Sequence, residues 1–418
     1  MKKFGKKSIA SAIVLGLLGA GLAATPAQAA TVTLVVGNFG DMGMKDLFKT
    51  YMKKNPNIKI VEKSSEFGAH HQGVITSLAA GKGNDIQAIE IGYMPTMLPY
   101  ASKFVDMNAY GAAALKKDYF PWRWNPAVAK SGAVIGLPTD VGGMAIAYRT
   151  DLFAEAGLPT SPAEVGALWG KTGWNGYLAT AKKYKAKTGK LFADTVEGVW
   201  SAVLNQQQTT FYDKSGNLVY ESSKGVQDAW NIATEAAAYS SSAKYWTAEW
   251  NAAQATAATV IAPAWMLTGI KSNNPTLSGK WNITTVPGTY GNWGGSYLTV
   301  PKYSKKQKEA VALVKWLLAP AQQKTLFVTK NLFPSAITAA SDKTVLAKKD
   351  PYFSNAEVAK IYVKSYSKLV SAYTGPKQSS VGTSFRDALF TVVDGKKSKD
   401  EAWDAAIAEI RKNVGASK

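Results

Sequence analysis

The sequence predicts an α/β fold of two lobes that are joined by crossing strands. Three observations predict it. Short β-branched runs alternate with segments of helical period, the alternation starts at residue 31 and continues to residue 414, and no repeat or low-complexity linker divides the chain. The 46% hydrophobic and 19% charged composition is that of a folded globular protein, and 418 residues suffice for two or three domain-sized cores.

The N-terminal segment has the pattern of a secretory signal peptide. An apolar stretch over residues 9–24 follows a lysine-rich start and precedes the small-x-small triplet Ala27-Gln28-Ala29. Because this stretch is short and broken by glycines, it favours cleavage after Ala29 over a membrane span, and the mature chain would begin near Ala30. We expect an extracytoplasmic protein, either periplasmic or at the cell surface or secreted. Without a cysteine at the cleavage point we expect no lipid anchor.

The first part of the mature chain is predicted to be strand–helix–strand–helix–strand. The strands are residues 31–36, 58–61 and 85–91, and the second helix covers residues 72–80 and ends at Gly81. Three strands with connecting helices predict a mostly parallel sheet. In such sheets the ligand crevice lies beyond the carboxyl ends of the strands.

Four residues lie at the carboxyl ends of the first and third strands and are therefore expected at the crevice, namely Asn38, Phe39, Glu90 and Tyr93.

Later segments continue the alternation. Strands are predicted over 133–137, 144–148 and 296–300, and helices from Ser161, within 225–258, and over 307–318 and 400–414. The paired glycines Gly142-Gly143 between two strands suit a hinge. We expect a signal peptide over 1–29, a first lobe of residues 30–140 and 294–338, and a second lobe of residues 141–293 and 339–418.

Composition excludes several chemistries. Without cysteine the chain has no disulfide framework, no thiolate-ligated metal and no cysteine nucleophile. The only histidines, His70 and His71, are adjacent, and adjacent helical residues seldom share an ion. We therefore expect no metal site and no cofactor, and we place this pair in a surface loop or at a helix start. Neither a Gly-x-Ser-x-Gly elbow nor a phosphate-binding loop is present.

The chain is strongly basic, with 49 Lys and Arg against 29 Asp and Glu. Removal of the signal, which carries four lysines and no acid, lowers the formal charge from +20 to +16. The lysines are spread as pairs along segments of helical period, which indicates solvated helix faces and not a nucleic-acid groove. Adhesion to an anionic wall polymer stays open as a role for this charge.

Aromatic residues at the ends of elements favour a sugar site, because sugars need flat aromatic faces and planar polar groups. Trp265 lies where a strand runs into a turn and a helix, and Trp293 lies in a loop whose Gly294 and Gly295 permit close approach of a ligand. Alternatively, each of these tryptophans could be a hydrophobic plug that packs beneath a loop and does not contact a ligand. Trp250 lies in a helix-like stretch, where core packing is an equal alternative.

The alternative function, an enzyme, depends on two carboxylates. Glu90 and Asp140 could converge across a cleft as the acid/base pair of a secreted glycosidase or lyase. Glu90 could also be an outward strand residue, and Asp140 a turn residue.

Seven segments form an ordered pattern that covers nearly the whole mature chain. They are residues 37–40, 81–93, 135–153, 156–159, 263–266, 293–298 and 314–317. Their order and spacing resemble those of extracellular solute-binding proteins of carbohydrate ABC importers, family 1, which are similar to maltose- and cellobiose-binding proteins.

The resemblance implies a two-lobed fold of the periplasmic-binding-protein type II class, with hinge strands that cross between the lobes. It implies a monomeric receptor, not an enzyme, that closes on a mono- or oligosaccharide and delivers it to the membrane permease subunits. By matching position, Trp265 resembles the stacking tryptophan of the family, and Glu90 and Asp140 match its hydroxyl-binding carboxylates. Trp293, Asn38 and Tyr93 resemble cleft-lining positions.

Because the chain is positively charged, an anionic sugar such as a uronate is an alternative ligand. Its partner would be Arg123, Arg149 or Arg386. Arg149 is instead expected to form a structural ion pair with Asp151.

Overall fold

The structure is a computed structural model that describes residues 30–366, 368–369 and 372–417. The predicted signal peptide lies outside these residues. Within them no helix combines the length and the apolar character that a membrane crossing requires.

The strands are short and distributed along the chain. In chain order they are β1 (Val32–Phe39), β2 (Ile58–Ser65), β3 (Ile86–Glu90), β4 (Gly136–Pro138), β5 (Asp140–Val141), β6 (Met144–Arg149), β7 (Thr259–Pro263), β8 (Trp281–Thr285), β9 (Ser296–Thr299) and β10 (Phe333–Pro334).

The helices fill the intervals and the C-terminal third. In chain order they are α1 (Lys45–Lys54), α2 (Phe67–Ala80), α3 (Met94–Met97), α4 (Pro121–Trp124), α5 (Thr150–Glu155), α6 (Pro162–Gly170), α7 (Trp174–Thr188), α8 (Val196–Asn205), α9 (Lys224–Ala236), α10 (Ala248–Thr256), α11 (Met266–Asn273), α12 (Gln307–Leu317), α13 (Pro320–Lys330), α14 (Ile337–Ala340), α15 (Lys343–Leu346), α16 (Val358–Tyr366), α17 (Gln378–Val393) and α18 (Lys399–Asn413). Short 3-10 turns cover Ile91–Tyr93, Leu98–Lys103, Met107–Tyr110, Ala112–Asp118, Asn125–Ala127, Ala237–Tyr239, Pro275–Leu277 and Pro351–Phe353.

The larger sheet has the strand order β2-β1-β3-β9-β4. β1 is parallel to both β2 and β3, as the strand–helix alternation predicts. β9 is antiparallel to β3 and to β4, so the sheet is mixed and not mostly parallel. The reason is connectivity, because β9 returns to this sheet from a distant part of the chain and not through a crossover helix.

The smaller sheet has the order β7-β6-β8 and is antiparallel throughout. β5 and β10 pair as a separate two-stranded ribbon. The chain thus passes from the larger sheet through β4, β5 and β6 into the smaller one, and Gly142-Gly143 lies at this passage as the sequence predicts.

Each sheet is covered on both faces by apolar side chains. One core cluster includes Leu34 and Leu298 of the larger sheet, and another includes Ile89 and Tyr297 on its opposite face. The smaller sheet likewise separates two clusters, because successive residues of β6 belong alternately to one and to the other. The two sheets therefore organise two bodies, which agrees with the two-lobed fold.

Helix α2 begins five residues earlier than predicted. The Glu66 carboxylate accepts hydrogen bonds from the Gly68 and Ala69 amides and caps the helix, and Gly81 ends it in the left-handed conformation, as expected. Of the two places expected for His70 and His71, they lie near the helix start, and the surface loop is wrong. Their relative exposures are 5% and 0%, because the extra turn places them against β3.

The alanine-rich stretch forms α9 and α10 with a break between them. Three serines follow α9, and serine hydroxyls compete for backbone groups and favour helix ends. Ser240 Oγ donates to the Ala236 carbonyl in this way. The segment that connects the two helices carries Trp246.

Candidate ligand-binding site

A cavity of about 2310 Å³ lies between the two bodies. It is lined from both sides and from the passage between them. The predicted site residues on its wall are Glu90, Tyr93, Asp140, Trp250, Trp265, Trp293, Gly294 and Gly295.

Asn38 does not reach this wall. It is 1% exposed, and its Nδ2 donates to Glu62 Oε1 at 2.6 Å. Successive side chains of a strand point to opposite faces, so the neighbouring Phe39 lines the cavity in its place.

The floor of the cavity is built from the passage strands. The Thr139 hydroxyl donates to Asp140 Oδ1 at 2.6 Å, and the Ser296 amide approaches the same oxygen at 3.3 Å. Beneath them the Arg123 Nη2 donates to the Ser296 carbonyl at 2.5 Å, while the guanidinium lies 4.3 Å from the centre of the Tyr297 ring. Asp140 is therefore oriented by fixed donors, and its other oxygen is available as an acceptor.

Gly294 and Gly295 both have positive φ, at 94° and 87°. A Cβ on Gly295 would lie 2.5 Å from the Asp140 carbonyl oxygen, and one on Gly294 would lie 3.0 Å from Trp265 Nε1. Glycine is thus required at both positions for conformation and for space. The two residues bring β9 and its preceding loop against the floor and the tryptophan wall.

Trp265 and Trp293 form one wall of the cavity. Trp265 lies in the turn between β7 and α11, and its Nε1 donates to the Trp293 carbonyl at 3.0 Å. The two rings are 5.8 Å apart at 74°, an edge-to-face contact. Both side chains are partly exposed to the cavity.

Trp250 lies behind this wall. It is 4% exposed, its ring meets Tyr245 edge to face at 4.8 Å, and its Nε1 donates to Asp194 Oδ2 at 2.7 Å. Burial raises the pKa of Asp194 to about 7, with the Trp250 hydrogen bond acting against the rise. Trp250 thus supports the wall and reaches the cavity only at its margin.

Trp246 is an aromatic residue of the site that sequence reasoning missed. It is 69% exposed, lines the cavity and stacks on Trp265 with ring centres 5.6 Å apart at 23°. The one signal in the sequence is a Tyr-Trp pair after three serines, which by itself indicates only a helix break.

The opposite wall is also aromatic. Phe39, Phe67 and Tyr93 line it, with Phe67 meeting Phe39 at 5.1 Å and Tyr93 at 5.5 Å, both edge to face. Tyr93 stacks on His71 at 3.9 Å and 13°. Phe67 was missed because the sequence places the start of α2 after it.

His71 is held as a neutral ring. Its Nε2 accepts from the Glu90 amide at 3.0 Å, so its Nδ1 carries the proton and donates to the Phe67 carbonyl at 2.7 Å. Burial lowers the pKa of His71 to about 4. The support beneath Tyr93 is therefore uncharged at neutral pH.

Glu90 ends β3 at the cavity edge. Its Oε2 accepts from the Gly92 amide at 2.6 Å, and burial raises the pKa of its carboxyl to about 7. The nearby Arg123 lowers that pKa and Asp140 raises it, both by smaller amounts. Near neutral pH Glu90 can thus both donate and accept a hydrogen bond.

The three arginines proposed for an anionic ligand have other partners. Arg123 is fully buried below the floor, and Arg149 forms the expected ion pair with Asp151 at 2.7 Å, which confirms that prediction. Arg386 lines the cavity, with its Nε 3.4 Å from Glu197 Oε1. Among the described residues no group of three or more His, Asp or Glu is placed to hold a metal ion.

Comparison with known proteins gives a family match over most of the chain. The model of the family described as bacterial extracellular solute-binding protein matches residues 41–324. A crystal structure described as an extracellular solute-binding protein of family 1 is 36% identical, covers 91% of this chain and 99% of its own, and superposes with a TM-score of 0.82.

Curated relatives extend this match. A probable ABC transporter-binding protein of Deinococcus radiodurans is 28% identical over 99% of both chains. An arabinooligosaccharide-binding protein of Bacillus subtilis is 27% identical over 66% of this chain and 65% of its own. The match to the arabinooligosaccharide-binding protein of Halalkalibacterium halodurans is shorter, with 25% identity over 41% of this chain and 37% of that protein.

Proposed function

The chain belongs to the bacterial extracellular solute-binding proteins, and from that premise we propose that it is an extracytoplasmic receptor for a neutral oligosaccharide. The receptor closes its two lobes on the sugar and delivers it to the permease of an ABC importer. The observation that carries the proposal is the pair of aromatic walls, Trp246 and Trp265 on one side and Phe67 and Tyr93 on the other, above an acidic floor.

The chemistry of this cavity suits a sugar. Aromatic faces pack against the C–H surface of a sugar ring, and carboxylates with fixed neighbours accept hydrogen bonds from its hydroxyls. Asp140 and Glu90 supply such oxygens at the floor. We propose that Glu90, Tyr93, Asp140, Trp265, Trp293, Gly294 and Gly295 form the binding site, with Trp250 as support for the wall.

The size of the cavity favours an oligosaccharide over a single sugar. Ordinary small-molecule pockets enclose roughly 300–1,000 Å³. The volume of about 2310 Å³ exceeds that range and extends between two aromatic walls. Arabinooligosaccharides and lactose are named for relatives of this chain, and both belong to the proposed class.

Charge favours a neutral ligand. Arg386 is balanced by Glu197, while the Asp140 carboxylate at the floor would repel an anion. A uronate that paired with Arg123 would also have to reach a guanidinium that is fully buried below the floor and donates to the Ser296 carbonyl.

Closure would use the passage between the sheets. The Trp293 amide donates to the Gly142 carbonyl at 2.7 Å, and the Gly142 amide donates to Asn292 Oδ1 at 2.9 Å. A bound sugar that contacts both walls favours the closed state, which drives rotation about such a hinge. For the lobes we propose residues 30–140 with 294–338, and 141–293 with 339–418.

The matched family consists of solute-binding proteins, and the relatives are named as binding proteins. None of these comparisons supports a glycosidase. We propose that the chain binds sugar without turnover, acts as a monomer and loses its signal by cleavage near Ala29. Glu90 and Asp140 then serve as hydrogen-bonding groups and not as an acid/base pair.

Calorimetric titration of the mature protein tests the proposal. The panel is arabinotriose, lactose, β-1,6-galactobiose, their monosaccharides, galacturonate and amino acids. We expect saturable binding of at least one neutral oligosaccharide and no release of reducing sugar on long incubation. Binding confined to galacturonate or to amino acids would contradict the proposal. Release of reducing sugar would instead support the glycosidase hypothesis.

A further inference from the structure

Trp246 is the most exposed large apolar side chain among the described residues. Its exposure is 69%, compared with 38% for Phe67 and 47% for Tyr373, which also line the cavity. A tryptophan normally contributes to folding through burial of its large ring. Because Trp246 is mostly exposed, burial of its ring stabilises the fold little and does not explain why a tryptophan occupies this position.

The backbone at Trp246 is strained. Its φ is +71°, in the left-handed region that a bulky side chain rarely adopts. The other described non-glycine residues with positive φ are Asn331, Ser354 and Asn355, which are small and polar. Strained residues of this kind cluster at ligand clamps, where the surrounding structure holds them in place.

Its neighbours hold the residue in this conformation. Tyr245, before it, is 8% exposed in the core, and Thr247, after it, caps α10 by accepting from the Trp250 amide at 3.2 Å. The chain must therefore reverse between a core residue and a helix cap, and the indole between them is turned into the cavity.

The ring geometry gives that indole a role. One face of Trp246 stacks on Trp265, and the Trp246 and Trp250 rings meet edge to face at 5.3 Å and 72°. The Trp246 side chain lines the cavity and is 69% exposed, whereas the Nε1 of Trp265 is already bonded to the Trp293 carbonyl. A centre distance of 5.6 Å at 23° is an offset stack, so the two indoles form a step.

We propose that Trp246 is a specificity-determining residue of the sugar site and that, with Trp265, it forms a stepped platform for two consecutive neutral sugar rings. The inference rests on the proposed function and assigns to Trp246 the preference for oligosaccharides over their monosaccharide units. The strain at Trp246 is maintained for this contact and not for folding.

Four substitutions test the inference by calorimetric titration and by thermal unfolding. In Trp246→Ala we expect the affinity for the tightest-binding oligosaccharide of the panel (arabinotriose, lactose or β-1,6-galactobiose) to fall at least tenfold, and that for its monosaccharide unit less than threefold. Trp246→Phe should recover most of the loss. Trp246→Gly relieves the strain and should unfold at the same temperature as the wild type or higher. Val328→Ala, at an exposed apolar residue outside the cavity, is the matched control and should change neither quantity.

Equal affinity of Trp246→Ala and wild type for the oligosaccharide would overturn the inference while the proposed function stands. So would an equal loss for oligosaccharide and monosaccharide. If the wild type binds no sugar of the panel, the proposed function fails and the stepped platform fails with it. The unfolding of Trp246→Gly still decides the origin of the strain, because a lower unfolding temperature than the wild type would mean that the indole serves folding.

Discussion

The imidazole of His71 accepts a hydrogen bond from the backbone amide of Glu90 at 3.0 Å. The contact joins α2 to the end of β3, and the same ring stacks on Tyr93 at 3.9 Å. One buried neutral ring thus sets both the position of a floor carboxylate and the plane of a wall aromatic.

Replacement of His71 by Phe should destabilise the fold. The Glu90 amide would lose its acceptor, and one buried unsatisfied group costs about 1–3 kcal/mol. We expect a decrease of that size in the free energy of unfolding, measured by urea denaturation, together with weaker sugar binding. Thr76→Ala, on the exposed part of α2, is the control. An unchanged free energy of unfolding would show that water replaces the lost ring.

Glu90 should make stability depend on pH. Its pKa is raised by burial from 4.5 to about 7, so the folded state binds its proton more tightly than the unfolded state does. Its contribution is fully present below about pH 4.5 and is lost as the pH rises through about 7, by about 3 kcal/mol in total. Glu90→Gln cannot titrate, so its free energy of unfolding relative to wild type should increase between pH 5 and pH 8.

The measurement is urea denaturation of both proteins at each pH. Asp194 has a pKa raised to about 7 as well, and it contributes equally to wild type and variant, so the difference isolates Glu90. A constant difference across this range would mean that Glu90 is ionised throughout.

The sequence was sufficient for elements whose signals are local. Gly81 ends α2, the three parallel strands follow from the strand–helix alternation, and Trp265 lies at a strand–turn–helix junction as its flanking residues indicate. These features depend on neighbours in the chain and on hydrophobic period, which a single sequence contains.

The features that sequence reasoning missed depend on the tertiary structure. Asn38 and Phe39 were both expected at the crevice, but they lie on opposite faces of β1 and only Phe39 lines the cavity, because the packing of the whole sheet decides which face meets it. The exposure of Trp246 follows from its constraint between Tyr245 and Thr247. No local pattern predicts a positive φ at a tryptophan.

Trp265→Ala should remove sugar affinity at a moderate cost in stability. The ring is partly exposed and contacts Trp246 and Trp293, so its loss removes the lower part of the platform and the hydrogen bond to the Trp293 carbonyl. We expect a decrease of about 1–3 kcal/mol in the free energy of unfolding and no saturable binding in the titration. A much larger decrease with binding retained would identify Trp265 as a core residue.

Gly295→Ala should lower the free energy of unfolding by more than the strain of its left-handed backbone alone would cause, because the new Cβ also contacts the floor of the cavity. The position has a φ of 87°, and a Cβ there would lie 2.5 Å from the Asp140 carbonyl oxygen and 3.0 Å from the Arg123 Nη2. Gly395 is the matched control, because it has a φ of 68° and no atom near its hypothetical Cβ. Gly395→Ala should cost about 1–2 kcal/mol, the usual strain of alanine in the left-handed region. Gly295→Ala should cost more and should also weaken sugar binding, because Asp140 must move. Equal losses of stability with unchanged affinity would show that the loop before β9 can shift without disturbing the floor.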